Sequence, residues 1–520
     1  MKFSYRAAAL TAVGVLALAA CSSTDNDSGA DPSSSAATSE TGAALAPLLN
    51  LGVVDSPGQG GFVAADMSFA TKAPYGQAIY DTLVRATPSN LLEPSLATDW
   101  GYDTSKTELT LKLRDDVKFT DGTDFNADAA AQNILRFRDG SAENANWLAN
   151  VADAVAEDAQ TLVITLSAPD PALLLNLSRA AGYQQSPASF DSDTPVGSGP
   201  YILDETQSVV DASYVFDANP DYWAPDYQHY DEIAMTVFDD PVSMQNALMG
   251  DQLDAALFTG YQGFDQIEGA GYTAHEYAQD WEGLLLFDRT GQLSEPMGDV
   301  RVRQAINFAI DKEGLLEGLA GGRGEVTTQV FGKETPGYDA ELEYAYPYDP
   351  EKAKSLLAEA GYADGFTIDF PTVSFVPQAT FDLVGQQLAE VGITANFTDI
   401  APQDYFPTML GGSVALASFR LEQPATAWET YSLELSQGAP WNAFHTPDDT
   451  VAGYGETIQT GSDADSAAAA AELNKYIVDQ AWFNPWYRTI TTFYTDAETD
   501  VTPQVGNVYP YLWNIVPVTN

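Results

Sequence analysis

The chain has 520 residues, a formal net charge of −52 at pH 7, and 45% hydrophobic and 11% aromatic residues. This length exceeds one ordinary domain of about 100–200 residues, so we expect two or more lobes, and the apolar content excludes a disordered chain. The acidity makes nucleic acid and anionic membrane surfaces poor partners.

The N-terminal segment is typical of a bacterial lipoprotein. Two basic residues precede an apolar run at residues 7–20, which is too short for a membrane span of about 20 residues and suits a signal peptide. Cys21, the only cysteine, follows small residues, as in a lipoprotein cleavage box, so we expect it to carry the lipid. A Ser/Ala/Asp-rich tract follows and predicts a flexible tether.

Two segments after the tether have the alternation of half-buried strands. Leucine occupies every second position in residues 108–114, and apolar residues do the same in residues 161–167. Alternation of this kind places the apolar side chains on one face of a strand. We therefore predict strands at both places.

Further along the chain the apolar spacing changes to that of helices. Apolar residues recur at helical spacing in residues 302–310, and the glycine pair at Gly321 ends this segment. A second helix is predicted over residues 349–361, with an aspartate N-cap, a proline in the first turn and a glycine stop. A third carries its apolar stripe over residues 381–391 and precedes a strand at 393–397. The mixture predicts an α/β fold.

The sequence carries no recognisable catalytic or metal-binding pattern. His229, His275 and His445 are far apart, and with a single cysteine they predict no zinc site and no cofactor. Ser198 lies between two glycines but lacks the spacing of a nucleophile elbow, so we predict a turn there. Paired carboxylates for glycoside cleavage stay open, because 74 acidic residues make any single pair uninformative.

One acidic stretch superficially resembles a calcium loop. Residues 124–128 read D-x-N-x-D, but the sixth and twelfth positions of the loop hold alanine and leucine instead of glycine and glutamate. Turn and cap chemistry fits better. We predict that residues 117–119 end a strand, that residues 121–122 form a tight turn, and that Asn126 or Asp124 caps a helix.

Five segments in chain order match the motifs of one known family. They are LKLRDDVKFTDGTDFNADAAAQNILRF (111–137), PVGSGPY (195–201), the stretch 245–254, DVRVRQAINFAID (299–311) and YDPEKAKSLL (348–357). These segments resemble those of the extracellular solute-binding protein family 5, whose members serve peptide and nickel ABC importers. The resemblance covers essentially the whole mature chain and is weakest after about residue 362.

The resemblance implies a two-lobed, periplasmic-binding-protein-like α/β fold of type II, in the large cluster with an extra subdomain. The expected segments are the signal peptide 1–20, the tether 21–46, lobe I 47–271 with a subdomain inserted at about 82–194, lobe II 272–488, and a return to lobe I at 489–520. A hinge is implied near residues 272–281 and 487–492. A ligand touching both lobes would stabilise the closed state, which the transporter recognises.

Candidate ligand-binding residues lie outside most of these motifs. Met67, Ser68 and Phe69 follow the first strand, in a loop that often touches ligand in this family, and Trp281 follows the first crossover between lobes. Trp428 and Trp441 are candidates for stacking on a sugar or another flat ligand, because indole rings combine a large apolar face with a polar edge; core packing is the alternative.

Arg420 and Glu422 are the charged candidates. Peptide binders of this family carry a W-x-x-D type motif here, and its aspartate holds the peptide amino group. The present sequence departs from that motif, and without a gap Glu422 takes the place of the aspartate. Arg420 is suited to a carboxylate or phosphate, and a loop salt bridge between exposed residues is the alternative. No counterpart of the arginine that binds the carboxylate in dipeptide binders is evident at 375–380, which argues against a free dipeptide.

Together these features predict a receptor, and not an enzyme, at the extracytoplasmic face of the cell membrane. We expect a lipid-anchored monomer that captures an oligopeptide or peptide-like solute and delivers it to ABC permease subunits. An oligosaccharide or glycoside, or a metal chelate or haem, are alternative ligands. A secreted hydrolase and a sensory receptor are alternatives of a different class.

Overall fold

The computed structural model describes residues 45–58, 61–192, 194–258, 263–504 and 506–518. The chain divides into two units, residues 1–42 and 43–520, and the elements below all belong to the second. The predicted signal peptide, almost the whole tether and Cys21 lie outside the described residues.

Strands and helices are interspersed along the described chain. The strands are β1 Leu49–Val53, β2 Val84–Ala86, β3 Leu92–Pro94, β4 Ala97–Tyr102, β5 Glu108–Leu113, β6 Val151–Asp158, β7 Thr161–Leu166, β8 Tyr201–Val209, β9 Ser213–Ala218, β10 Glu232–Val237, β11 Ala255–Phe258, β12 Thr273–Leu286, β13 Glu325–Val326, β14 Phe366–Thr372, β15 Ile393–Asp399, β16 Leu416–Glu422, β17 Phe483–Thr495, β18 Thr499–Val501 and β19 Ile515–Pro517. The helices are α1 Ala73–Ile79, α2 Ala127–Arg138, α3 Leu173–Asn176, α4 Pro241–Met249, α5 Phe264–Gly269, α6 Val300–Ala309, α7 Lys312–Ala320, α8 Pro350–Glu359, α9 Gln378–Glu390, α10 Pro402–Leu410, α11 Ala427–Thr430, α12 Asp449–Thr460 and α13 Asp463–Asp479. A π-helical turn, Tyr431–Leu435, follows α11.

The largest sheet runs in the order β16-β12-β17-β11-β1-β10-β9-β8, with β13 added on β17. β1 pairs in parallel with β10 and β11, and the other pairs are antiparallel. A separate antiparallel sheet, β4-β5-β7-β6, carries α2 and lies within the segment predicted as the inserted subdomain. The two leucine-rich segments predicted as strands are β5 and β7.

Two long strands join the two parts of the largest sheet. β12 and β17 pair from Thr273 opposite Thr495 to Leu285 opposite Phe483, with a bulge between Ala278 and Asp280. One end of this ribbon lies beside β11, and the other end lies beside β16. The ribbon covers the residues where the hinge was expected. The exact lobe boundaries stay a prediction, and we keep the names lobe I and lobe II for the ranges given above.

The hydrophobic cores follow this division. One buried cluster extends from Leu49 through the inserted sheet to Ile515 and belongs to lobe I. Two further clusters belong to lobe II, one around α6 and α9 and one around Trp281 and Leu473. A two-lobed α/β fold results, as the sequence predicted.

The acidic stretch before α2 is built from turns and a helix cap. Gly122 has φ +84°, which suits the predicted tight turn. The Asn126 side chain accepts a hydrogen bond from the backbone N–H of Ala129 and caps α2. Asp124 forms an ion pair with Lys118 instead of capping. The strand predicted to end at residues 117–119 ends earlier, at Leu113, and only an isolated bridge remains.

The predicted helices are present, with one additional break. Asp349 caps α8 through the N–H of Lys352, and β15 follows α9 as expected. The segment predicted to end at Gly321 is divided into α6 and α7, because Ile310 is extended and Asp311 caps a new helix. An aspartate favours a cap over a helix interior, which explains this restart.

The PVGSGPY motif crosses the end of α1 at close range, within lobe I. Gly199 donates its backbone N–H to the carbonyl of Ile79, at the end of α1. A Cβ atom at Gly197 would lie 2.0 Å from the same carbonyl oxygen, which no side chain tolerates. The motif is therefore required by packing. Where a turn was predicted, Gly197 forms an isolated bridge with Gln185 and residues 198–200 bend.

Candidate ligand-binding cleft

Four charged side chains share one face of lobe II at the pair β12–β16. Asp280 lies opposite Glu422, and Glu282 lies opposite Arg420. Side chains two residues apart on a strand point to the same side, so all four lie on one face. We call this set, Asp280, Glu282, Arg420 and Glu422, the charged face.

The arginine of the charged face is already paired. Arg420 Nε lies 2.9 Å from Asp280 Oδ2, along the diagonal of the strand pair. Burial raises the pKa values of Asp280 and of Glu282, and the positive charge of Arg420 opposes both rises. One guanidinium thus compensates part of the charge of two carboxyl groups.

Glu422 lacks such a partner. Within the described part of the chain, its carboxylate forms no ion pair and accepts no hydrogen bond from a side chain. Water reaches the side chain, yet the surrounding protein raises its pKa to about 7, with Arg179 opposing the rise and Asp280 and Glu429 adding to it. A side chain that water reaches while protein surrounds it is typical of the wall of an enclosed cleft.

A second carboxyl group lies behind Glu422. Glu434 is 2% exposed, in the π-helical turn, and its Oε2 has no hydrogen-bond partner among the described residues. Burial raises its pKa well above the usual value, the charge of Glu422 adds to the rise, and the indole N–H of Trp281 opposes it. Glu434 therefore increases the negative potential at Glu422 whenever it is ionised.

Contacts join the inserted segment of lobe I to lobe II, and one of them lies next to Glu422. Arg179 Nη1 lies 3.1 Å from Glu429 Oε1, and the two side chains are 5% and 12% exposed. Lys106 Nζ donates to the carbonyl of Gly461 at 2.6 Å, and Gln459 Nε2 donates to the carbonyl of Pro169 at 2.9 Å. The charged face therefore lies beside the boundary between the lobes.

Acidic groups outnumber basic groups at this boundary. The carboxyl groups are those of Asp280, Glu282, Glu422 and Glu429, and the guanidinium groups are those of Arg179 and Arg420. A low-dielectric site with excess carboxylate favours a cation, because a positive charge relieves the repulsion between the carboxylates.

An aromatic pocket adjoins the charged face. It has a volume of about 480 Å³, and its wall includes Phe375, Phe406 and Phe419 together with Glu282 and Arg420. The rings of Phe375 and Phe406 stack with an interplanar angle of 14° and centroids 6.3 Å apart. We call this cavity the aromatic pocket.

The predicted loop of lobe I is largely buried. Met67, Ser68 and Phe69 are 1%, 6% and 6% exposed. The Ser68 hydroxyl accepts a hydrogen bond from the N–H of Glu143, and the Phe69 ring contacts that of Trp147 edge to face. These contacts all lie within lobe I, and a role in ligand binding stays a prediction.

The three predicted tryptophans differ in burial and in contacts. Trp281 is fully buried and packs against Phe483, on the opposite face of β12 from Asp280 and Glu282. A direct ligand contact would require this ring to become exposed. Trp428 is half-buried and stacks on Tyr431. Trp441 is half-buried too and stacks on Phe419 with centroids 5.5 Å apart, so it supports the wall of the aromatic pocket.

Several residues of the cleft escaped the sequence analysis. Asp280 and Glu282 flank the predicted Trp281. Once β12 and β16 are known to pair, the sequences D-W-E and R-L-E show charged residues alternating on both strands, which predicts that these charges share one face. Arg179, Glu429 and Glu434 have no such signal, because only the tertiary structure brings their charges close to Glu422.

The described residues contain neither a metal-ligand group nor a membrane-spanning helix. No group of three or more histidine, cysteine, aspartate or glutamate side chains among them is arranged to hold a metal ion. No helix among them combines the length and apolarity needed to cross a membrane.

The fold and this cleft define a solute-binding protein of the type that serves ABC transporters. The family model of the bacterial extracellular solute-binding proteins, family 5 Middle, matches residues 92–445, and the chain belongs to this family. The family consists of solute-binding proteins rather than enzymes.

Individual comparisons agree with this assignment. The glutathione-binding protein GsiB of Escherichia coli K12 is 29% identical over 360 residues, covering 65% of this chain and 68% of GsiB. NikA from Brucella suis, solved in complex with Fe(III)-EDTA, is 21% identical with a TM-score of 0.78, covering 91% of this chain and 100% of NikA. DppA from Helicobacter pylori, solved with the peptide STSA, is 19% identical with a TM-score of 0.73, covering 91% and 98%. These two structures support the fold.

Proposed function

We propose that this protein is an extracytoplasmic receptor that captures an oligopeptide or peptide-like solute carrying a free ammonium group. The observation that carries the proposal is Glu422, a carboxylate that water reaches at the lobe boundary and that forms no ion pair among the described residues. The solute is then delivered to the permease subunits of an ABC importer.

The ammonium assignment follows from the charge of the site. Asp280 already holds Arg420, whereas Glu422 has two further carboxyl groups near it, those of Glu429 and Asp280. An ammonium ion offers three donors and a full charge, and it stabilises the ionised form of Glu422. A ligand anion at the same place would meet an excess of carboxylates.

A peptide accounts for the remaining features better than a simple amine. The cleft offers both a charged face and a separate aromatic pocket, which a ligand with a backbone and side chains can occupy together. The relative GsiB is named for binding glutathione, and the DppA structure contains a peptide. Both names support, for this chain, a peptide-like ligand.

Capture would proceed by closure of the lobes. The Arg179–Glu429 ion pair joins them next to Glu422, so ligand and ion pair would stabilise the same closed state. A ligand shifts this equilibrium only through its difference in affinity for the two states. Contacts to both sides of the cleft supply that difference.

The location of the protein in the cell is part of the same proposal. Lipid on Cys21 would anchor the protein, as a monomer, at the extracytoplasmic face of the cell membrane, and residues 21–46 would form the tether. Such an anchor keeps the receptor near the permease. No catalytic step is required for this role.

A thermal-shift screen tests the ligand class. The probes are tripeptides with free amino groups, their N-acetylated forms, oligosaccharides, and nickel and iron chelates. A ligand present at a hundred times its Kd should stabilise the protein by about 2.7 kcal/mol. We expect this effect from free-amine peptides only, in wild type and in the control Glu157→Gln, an exposed glutamate of β6. Stabilisation by oligosaccharides or chelates alone would overturn the peptide proposal.

A further inference from the structure

The aromatic pocket is the most apolar surface that adjoins the charged face. Phe375 and Phe406 are 48% and 39% exposed, among the more exposed large hydrophobic side chains of lobe II. Exposed aromatic rings gathered in one concave site indicate a place where another apolar group is removed from water. The two rings are therefore available to a ligand.

Contacts among the aromatic residues hold the wall in place. The Phe406 ring meets Phe419 edge to face with centroids 5.1 Å apart, and Phe419 stacks on Trp441. Phe375 also meets Tyr405, which is fully buried, at 5.4 Å. A wall fixed by such contacts loses little conformational freedom when a ligand binds.

The charges at the rim disfavour an anionic group in this pocket. Arg420 is engaged by Asp280, and Glu282 contributes a carboxyl group whose pKa burial already raises. A ligand carboxylate in the pocket would share Arg420 with Asp280 and would approach Glu282. An uncharged apolar group faces neither cost.

The size of the pocket leaves room for a side chain with a ring. A volume of about 480 Å³ lies within the range of about 300–1,000 Å³ for small-molecule sites, and the pocket shares Glu282 and Arg420 with the charged face. A ligand bound at Glu422 can therefore place a neighbouring group in the pocket.

We infer that the aromatic pocket is a second subsite, which takes an aromatic or bulky apolar side chain of the ligand whose ammonium group binds Glu422. The solute class is thus a cationic peptide with an aromatic side chain, and its C-terminal carboxylate is not read by Arg420. This inference rests on the proposed function, because it assigns a second part of the same ligand.

The test uses calorimetric titration of the mature protein with matched tripeptide amides. One set carries phenylalanine at position one, two or three, and the others carry alanine or glutamate there; 2-phenylethylamine is a probe without a peptide bond. We expect the best phenylalanine peptide to bind at least about tenfold more tightly than the alanine peptide. The glutamate peptide should bind more weakly than both, and the free acid should bind about as well as the amide.

Variants of the two exposed rings test whether the preference for phenylalanine arises in the aromatic pocket. Phe406→Ala and Phe375→Ala should each reduce the preference for phenylalanine several-fold, with the affinity for the alanine peptide nearly unchanged. Phe397→Ala is the matched control, because this ring is 41% exposed and does not line the pocket. Circular dichroism verifies the fold of each variant. If one of the two pocket variants does not fold, the other still tests the subsite.

The outcomes separate this inference from the proposed function. Equal affinity for phenylalanine and alanine peptides, unaffected by both pocket variants, overturns the second subsite and leaves the peptide receptor intact. Binding of 2-phenylethylamine that Phe406→Ala weakens, without binding of any peptide, supports the pocket and overturns the peptide proposal. Failure of every probe to bind overturns both.

Discussion

Arg179 of lobe I and Glu429 of lobe II form an ion pair whose nitrogen and oxygen atoms lie 3.1 Å apart, with both side chains largely buried. This pair connects the two lobes at the edge of the charged face, since Arg179 also opposes the rise in the pKa of Glu422. The guanidinium of Arg179 therefore affects both the closure of the lobes and the ionisation of Glu422.

Arg179→Gln should shift the protein toward an open state. Loss of Arg179 leaves the Glu429 carboxylate without a cation, with only its hydrogen bonds from Thr426, at a cost of about 3–5 kcal/mol if the lobes stay closed. Separation of the lobes returns Glu429 to water and avoids that cost. We expect a larger radius of gyration in small-angle scattering without ligand, and weaker peptide binding.

The control for this variant is Arg114→Gln, which removes an ion pair with Asp116 whose side chains are 29% and 58% exposed. Such pairs contribute about 0–1 kcal/mol, so neither scattering nor affinity should change. If Arg179→Gln behaved like this control, the ion pair would have no part in closure.

The affinity for a free-amine peptide should depend on pH through Glu422. The pKa of Glu422 without ligand is about 7, and a bound ammonium favours the ionised form. Affinity should therefore fall as pH drops through 7 toward 5, by up to about tenfold per unit, and should fall again above about pH 8, where the peptide α-amino group loses its proton. Calorimetry at pH 7 in two buffers of different ionisation enthalpy should detect proton release on binding.

Glu422→Gln removes the titrating carboxyl group and should abolish the fall in affinity between pH 7 and pH 5, while Glu157→Gln should retain it. A profile that kept its slope in Glu422→Gln would assign the titration to another group. Among the groups near Glu422, Asp280 and Glu434 are the first candidates, because burial raises the pKa of each.

Gly197→Ala tests the packing role of the PVGSGPY motif. The new Cβ atom would lie 2.0 Å from the carbonyl oxygen of Ile79, so α1 and the motif must separate. We expect destabilisation of about 2 kcal/mol or more, measured by urea denaturation. Gly101→Ala in β4 is the control, because no atom lies within 4 Å of its Cβ position. Equal stability of the two variants would contradict the close crossing.

Local chemistry made much of the fold predictable from the sequence. The Asn126 and Asp349 caps and the apolar stripe of α9 were expected because caps and helical periods depend on residues only a few positions apart. The break at Ile310 was missed, since the apolar spacing continues through it while Asp311 begins a new helix.

The cleft was predictable only in part. Arg420 and Glu422 were identified from the resemblance to peptide binders, and the structure places both on the charged face. Asp280 and Glu282 join them through pairing between strands far apart in sequence, which no local pattern reveals. Trp281 was expected to line the cleft; alternation along β12 directs this ring to the opposite face, into the core of lobe II, and a ligand contact of Trp281 stays a prediction.

The most direct test of the central claim, that Glu422 binds the ammonium group of the solute, is a double comparison by calorimetry. The Kd of a tight tripeptide from the screen and that of its N-acetylated form are measured for wild type and for Glu422→Gln. A charge-assisted hydrogen bond of about 1.5–3 kcal/mol predicts that acetylation weakens binding to wild type by about 10–100-fold and to Glu422→Gln by much less. The same loss on acetylation in both proteins would contradict the claim.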